Sequence, residues 1–362
     1  MINDVAKRNL IILDTNIYYD HFYLTSNQFL TLRDSLEQLN LVWALPEIVL
    51  DEVAGKYKEK IGELHKNLSK LNKDIERLLG KEEIVTKEIK VDESYNAYIS
   101  QLRELFERSY NMILLPYPLT AHKGIAERAI FKRKPFKECG DGYRDTLIWE
   151  TILSVLPDDK YNNILFVTNN SKDFFGKDGK IHHELRKDLL DINVNPDRVI
   201  EFNSLYSLLT KYIVPNLTLL TDALEKVRNN QYILSHKELI EVVIDRFTME
   251  TIRASMPDSN SGECFVNYIE SVSITEVEDV RRLDNDNIII ELQIKLEAEF
   301  EYYVDKCELY GRDYEELEYS INDFNWNEYV AQVYRITDLD FSALIAVDEE
   351  KHEAEVIEYE LI

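Results

Sequence analysis

The stretch Leu10-Ile11-Ile12-Leu13-Asp14-Thr15-Asn16 decides the reading of this chain. Four consecutive apolar residues are too few for a core helix and fit a buried parallel strand, and the residues that follow favour turns and caps. The strand therefore delivers the carboxylate of Asp14 to its C-terminal end, where open α/β sheets place their chemistry. A single strand-end Asp also serves as a helix cap or loop residue. What gives it weight is the pattern further along.

Outward from this strand, residues 1–212 alternate short apolar runs with helical patterns. Asn27 to Leu39 reads as helix and Leu41 to Leu45 as a second strand. Pro46, suited to a first helical turn, opens a helix with Ile48, Val49, Glu52 and Val53. Residues 56–80 and 94–110 are rich in Lys, Glu and Leu, with Leu64, Leu68, Leu71, Ile75 and Leu78 spaced three and four apart. That spacing predicts an amphipathic helical insertion. It either projects as a hairpin beside the active face or forms the surface of a homo-oligomer.

Met112 to Leu115 predicts another strand, followed by a helix from Ala121 to Ile130 and a basic stretch from Lys132 to Lys137. Asp145 starts a helix through Leu156. Asn163 to Val167 is a strand, and Arg198 to Phe202 with Ser204 to Tyr212 gives a last strand and helix. Strands separated by helices imply a parallel sheet covered on both faces. After Val214-Pro215-Asn216 the pattern changes: helices over 219–227 and 236–249 lead to period-two alternation at Ile288 to Phe300 and Glu353 to Ile362, which marks strands with one solvated face. The expected fold class is α/β, a parallel sheet flanked by helices over 1–214 with a helical insertion at about 55–110, followed by a smaller α+β domain over 215–362 with a mostly antiparallel sheet.

The length of 362 residues supports two domains without metal or disulfide staples. The formal charge of -26 is unevenly placed, because residues 231–362 hold 33 acidic and 10 basic residues and so carry most of it. An acidic whole thus leaves room for a locally basic groove in the N-terminal part. Cys139, Cys264 and Cys307 form no CxxC pair, which fits a reducing cytoplasm. Met1-Ile2-Asn3-Asp4 lacks a signal-peptide pattern, and no apolar run approaches the roughly 18 residues of a membrane span. A soluble, cytoplasmic protein is expected.

Four carboxylates recur at equivalent places in successive units: Asp14 after the first strand, Glu52 in the helix after the second, Asp145 near a helix start and Asp173 after a later strand. In a parallel sheet, strand C-terminal ends and helix N-terminal ends share one edge, so these residues can converge. Clustered carboxylates repel one another, and hard divalent cations resolve that repulsion. Oxygen-only donors point to Mg²⁺ or Mn²⁺.

Together, Asp14-Thr15-Asn16, the Glu52 helix, the run Asp141-Gly142-Tyr143-Arg144-Asp145-Thr146-Leu147-Ile148-Trp149 and the run Val167-Thr168-Asn169-Asn170-Ser171-Lys172-Asp173-Phe174 resemble a PIN domain of the longer bacterial type with a helical insertion, over about residues 8–212. The resemblance implies a metal-dependent ribonuclease, with single-stranded DNA as the second substrate. It assigns Asp14, Glu52 and Asp145 as the first three acids. Many PIN domains carry an Asp where this chain has Asn170, so the resemblance leaves Asn170 to offer an oxygen and Asp173 to supply the charge. Asp141, four residues before Asp145, is an auxiliary ligand candidate. The resemblance further implies in-line hydrolysis by metal-activated water, with Thr15, Asn16 and Thr168 orienting ligands or phosphate and no Ser, Cys or His nucleophile.

Positive charge is expected at the same edge. His122, Lys123, Arg128, Lys132, Arg133, Lys134 and Lys137 precede the Asp141 to Asp145 segment, with Phe131 and Phe136 between them. Cations neutralise phosphates and rings stack on unpaired bases, so Arg128 and Lys134 are the expected phosphate contacts. A haloacid-dehalogenase-type phosphatase needs a second Asp where Asn16 stands, and neither GxGxxG nor a Walker-type loop occurs. His182-His183-Glu184 lacks HExxH spacing and reads as a helix start, and Trp43 and Trp149 read as core. The competing class is a non-catalytic nucleic-acid or protein-binding regulator whose acidic pocket no longer holds metal. The acidic C-terminal domain is expected to dock a basic partner, to cover the nuclease groove as a polyanion mimic, or to mediate oligomerisation, with regulation favoured. On that reading a soluble fragment of residues 1–215 cleaves labelled RNA faster than the full chain; equal rates count against it.

Overall fold

The computed structural model describes residues 7–19, 21–79, 89–119, 122–137, 141–157, 160–259 and 261–362. Met1 to Asp4, Ala121, Cys139 and the 80–88 part of the helical insertion lie outside them. The chain divides into two compact units, Met1–Asn216 and Leu217–Ile362.

The first unit runs β1 (Arg8–Leu13), α1 (Asn27–Arg33), β2 (Leu41–Pro46), α2 (Glu47–Leu79), α3 (Val91–Arg108), β3 (Met112–Leu115), α4 (His122–Ile130), α5 (Tyr143–Val155), β4 (Tyr161–Val167), α6 (Ser171–Phe174), α7 (His183–Asp191), β5 (Val199–Phe202), α8 (Leu205–Leu208) and, beyond a π-helical turn, α9 (Val214–Asn216). The five strands form a parallel sheet in the order β3-β2-β1-β4-β5. β1 is central, with Ile11 opposite Trp43 on one side and Leu165 on the other. Leu10 to Leu13 are fully buried, as a strand covered on both faces requires. Each such side chain stabilises the fold by about 1.5–3 kcal/mol relative to exposure. Strand order reverses between β1 and β4, so Asp14 and Thr168, the residues just past their ends, meet at the switch point.

α2 departs from expectation, because the helix carrying Glu52 and the first half of the insertion are one 33-residue helix, about 50 Å long. Its first turns are anchored by Val49, Leu50, Val53 and Ala54, while Leu64, Leu71 and Leu78 stay exposed. α3 packs back against its base. There Tyr57 and Tyr98 stack with centroids 4.2 Å apart, and Lys58 pairs with Asp92 at 2.8 Å. Trp43 and Trp149 are both core residues. Among the described residues, no helix is long and apolar enough to cross a membrane.

The second unit comprises β6 (Thr218–Leu219), α10 (Thr221–Arg228), α11 (His236–Phe247), β7 (Thr251–Ile252), β8 (Cys264–Arg282), β9 (Ile288–Asp305), α12 (Lys306–Leu309), β10 (Ser320–Asp323), β11 (Val330–Asp348) and β12 (Glu353–Leu361). Its seven strands form an antiparallel sheet in the order β10-β11-β9-β8-β6, with β12 on β11 and β7 on β8. β9 shows why the fold is one-sided. Ile288, Ile290, Leu292, Ile294 and Leu296 point to the core under Leu239, Val243 and Phe247 of α11, and Glu291, Lys295, Glu297, Glu299 and Glu301 occupy the alternate positions. Much of the acidic charge thus decorates the face opposite the helices. There Ser271 donates to Glu297 at 2.9 Å and Lys295 pairs with Asp338 at 2.5 Å.

Candidate metal centre

The site is assembled around Asp14, which caps a 3₁₀ turn (Thr15–Ile17) at the end of β1 and is 3% exposed. Its Oδ1 accepts from the Thr15 backbone N–H at 2.7 Å. Its Oδ2 accepts from Asn16 Nδ2 at 2.8 Å and from the Thr168 hydroxyl at 2.5 Å. Thr168 Oγ1 in turn accepts from the Asn170 backbone N–H at 2.9 Å, and Asn16 Oδ1 accepts from that of Asn169 at 3.1 Å. The loops after β1 and β4 are thereby locked together, with one carboxylate at their junction.

Glu52, on the second turn of α2, reaches the same place. Its Oε2 accepts from the Thr15 hydroxyl at 2.9 Å and its Oε1 from Arg144 Nη1. Asp145 stands in the first turn of α5. Asp173 lies in the short helix α6 after β4 and is 2% exposed. Lys134 Nζ is 3.5 Å from its Oδ1, and Lys137 Nζ is 2.9 Å from its Oδ2, an ion pair not aligned as a hydrogen bond, so buried Oδ2 makes none. Asp141 is exposed and lines a cleft of about 410 Å³ with Glu52, Lys137, Arg144 and Asp145. Asn170 is half-buried at the N-cap of α6, and its side chain does not cap that helix.

Electrostatics record how closely these acids stand. Burial raises the Asp14 carboxyl to about 7 against the opposing Thr168 hydrogen bond, with Asp145 and Glu52 adding to the rise. Burial likewise raises Asp145 to about 6, Asp173 adding and Lys137 opposing. Neighbouring negative charge and desolvation both disfavour a second ionised carboxylate. Among the described residues, no three His, Cys, Asp or Glu side chains are gathered closely enough to hold a metal ion as they stand. The donor chemistry nonetheless suits a hard divalent cation: every donor is an oxygen, two carboxyls resist ionisation, and Asp173 keeps a buried oxygen without a hydrogen bond.

The basic residues divide sharply. Arg128, expected on a phosphate, is 6% exposed and donates to Asp188 Oδ2 at 2.6 Å and to the Lys134 carbonyl. Asp188 also accepts from the Trp149 indole at 3.0 Å. Arg128 is therefore a buried structural cation, and its assignment as a phosphate contact is corrected. Arg128→Met is expected to lower unfolding stability by about 3 kcal/mol, since it leaves Asp188 without its cation; denaturant unfolding checks this. Lys134 lies at the acidic centre, pairing with Asp173 and donating to the Lys172 carbonyl at 2.7 Å. Two further participants carry no signal in the sequence. Arg144 reads there as an ordinary residue beside Asp145, and Tyr19, whose phenol is raised to about 12 by burial and then by Glu52 and Asp14, lies in no recognisable motif.

An open parallel sheet with oxygen donors converging at its switch point defines an α/β protein with an acidic site at the carboxyl edge of the sheet. Residues 11–174, less than half of the chain, match a family model described as PIN domain, the family that the sequence motifs resemble. PIN domains are generally nucleases that use divalent metal ions. No curated protein and no solved structure matches the chain.

Proposed function

We propose that this chain is a divalent-metal-dependent endonuclease that hydrolyses phosphodiester bonds, in RNA first and single-stranded DNA second. The observation that carries the proposal is the junction at Asp14, where Thr15, Asn16 and Thr168 fix one carboxylate beside Glu52 and Asp145. Asp14, Glu52, Asp145 and Asp173 are the proposed ligands for Mg²⁺ or Mn²⁺, with Asp141 auxiliary at the rim of the cleft. Between Asn170 and Asp173, the buried Asp173 carboxylate is the stronger donor because it brings charge and an oxygen that makes no hydrogen bond. An ion held there supplies an acidified water and neutralises charge that develops on the phosphodiester. Thr15 and Thr168 orient carboxylates through their hydroxyls, and Asn16 ties the two loops. Arg144 and Lys137, which pair with Glu52 and Asp173 and line the same cleft, would be the cations at hand for a substrate phosphate once an ion shared those carboxylates.

Those same ion pairs favour one alternative, a non-catalytic binder in which Arg144 and Lys137 replace the metal permanently. The full chain incubated with end-labelled RNA separates the two. Cleavage in Mn²⁺ that stops in EDTA is expected, with slower cleavage of single-stranded DNA. Intact RNA in Mn²⁺ together with retained binding supports the binder.

A further inference from the structure

With Arg128 buried, phosphate-binding charge has to come from elsewhere in unit one, and two adjoining cavities supply it. One, of about 520 Å³, is lined by Lys134, Lys172, Lys177, His182, His183 and Arg186, with Asp178 as its acid. The other, of about 650 Å³, carries Lys172, Lys177 and Lys211, and its single acid, Glu201, accepts from the Ile181 backbone N–H at 2.7 Å. Both share Lys172, Phe175, Gly176 and Lys177, so they lie on either side of one loop. In a chain of net charge -26 this concentration of cations is conspicuous.

The loop is prearranged. Phe175 bridges Ile181 in antiparallel fashion, Gly176 N–H donates to the Lys180 carbonyl at 2.7 Å, and His182 N–H donates to that of Phe174 at 2.8 Å. Gly179 closes the turn at φ +76°, a conformation that favours glycine. Lys134 links this surface to the acidic centre, because its ammonium stands 3.5 Å from Asp173 and its chain lines the first cavity. Lys172, Lys177 and Lys211 are exposed, and among the described residues they form no ion pair.

We infer that the two cavities around the Phe175–Ile181 loop form a phosphate track that holds the nucleic-acid backbone flanking the scissile bond, leading the strand from Lys211 past Lys177 and Lys172 to Lys134 at the metal centre. The track depends on the nuclease reading for its direction and on the cavities themselves for its binding chemistry. The ligand class is the sugar–phosphate backbone of a single strand, and the contacts are charge contacts without base selection.

The test uses the full chain with Lys177→Glu and Lys211→Glu combined, two positions remote from the carboxylates. Binding of a fluorescein-labelled 20-nucleotide oligouridylate is followed by anisotropy in EDTA at several salt concentrations. The double variant is expected to bind at least about tenfold more weakly and to lose about 1.4 from the slope of log affinity against log salt, at about 0.7 per lost contact. Wild-type affinity and slope in the variant overturn the track, as does a wild-type chain that does not bind the oligonucleotide. Because no chemistry occurs in EDTA, the two readings fail separately. Variant-sensitive binding without Mn²⁺-dependent cleavage keeps the track and removes the nuclease. Asp14-dependent cleavage with unaltered binding keeps the nuclease and removes the track.

Discussion

Asp14→Asn is expected to bind Mn²⁺ at least about a hundredfold more weakly than the wild-type chain and, without metal at pH 8, to be more stable by about 2 kcal/mol. The two effects have one cause. Burial holds the Asp14 carboxyl at about 7, well above its ordinary 3.8. A raised carboxyl costs nothing below its unfolded value, then erodes stability as pH climbs from about 4 to about 7, and the full cost is present above that. Every pH unit by which the carboxyl is raised costs about 1.4 kcal/mol once it is ionised, and the amide forfeits part of that gain by adapting to the donors around Oδ2. The Asn keeps an oxygen for the Thr15 N–H, and the Thr168 hydroxyl can rotate to accept from the new amide. Thermal unfolding in EDTA at pH 5 and pH 8 reads the stability: the gain should be seen at pH 8 and fade at pH 5. Calorimetric titration with Mn²⁺ reads the affinity. A variant less stable than wild type at pH 8 contradicts this account of Asp14.

Mn²⁺ affinity of the wild-type chain is expected to fall by one to two orders of magnitude between pH 8 and pH 5.5. Metal ligands bind deprotonated. With Asp14 at about 7 and Asp145 at about 6, both carboxylates are ionised at pH 8, and at pH 5.5 most copies carry a proton on at least one. Binding at pH 6.5 should accordingly release protons to buffer, which titrations in buffers of different ionisation heat measure. An affinity flat across this range rules out these carboxyls as ligands.

Much of the architecture is legible in the sequence, for identifiable reasons. The parallel sheet is visible because central strands buried on both faces leave uninterrupted apolar runs such as Leu10 to Leu13 and Ile164 to Val167. β8 is not, because register shifts between Val266 and Tyr268, Ile269 and Ser271, Ile274 and Glu276, and Val277 and Asp279 reset its alternation repeatedly. β9, whose buried and part-exposed residues alternate from Ile290 onward, shows through over its first thirteen residues, Ile288 to Phe300. No seam separates the Glu52 helix from the insertion, since Lys56 to Leu79 holds no Pro and a single Gly, Gly62, which a helix of this length tolerates, and α2 runs through. At the acidic centre, strand-end and helix-start positions bring Asp14, Glu52 and Asp145 to one edge, as topology alone requires. Side-chain pairing is not legible. Arg128 and Lys134 sit six residues apart in one basic run, yet one is sealed against Asp188 and the other meets Asp173. The cations of the Phe175–Ile181 loop gather by tertiary folding alone, because Lys172, Lys177, Arg186 and Lys211 are scattered in sequence.

If these carboxylates form a metal site that hydrolyses nucleic-acid strands, the most direct test is single-turnover cleavage of a labelled single-stranded RNA by the full chain at pH 8 in Mn²⁺, wild type beside Asp145→Asn. Cleavage by wild type that ceases in EDTA is expected, with a rate lower by at least about a thousandfold in Asp145→Asn. Cleavage by Asp145→Asn at the wild-type rate would contradict the proposed site.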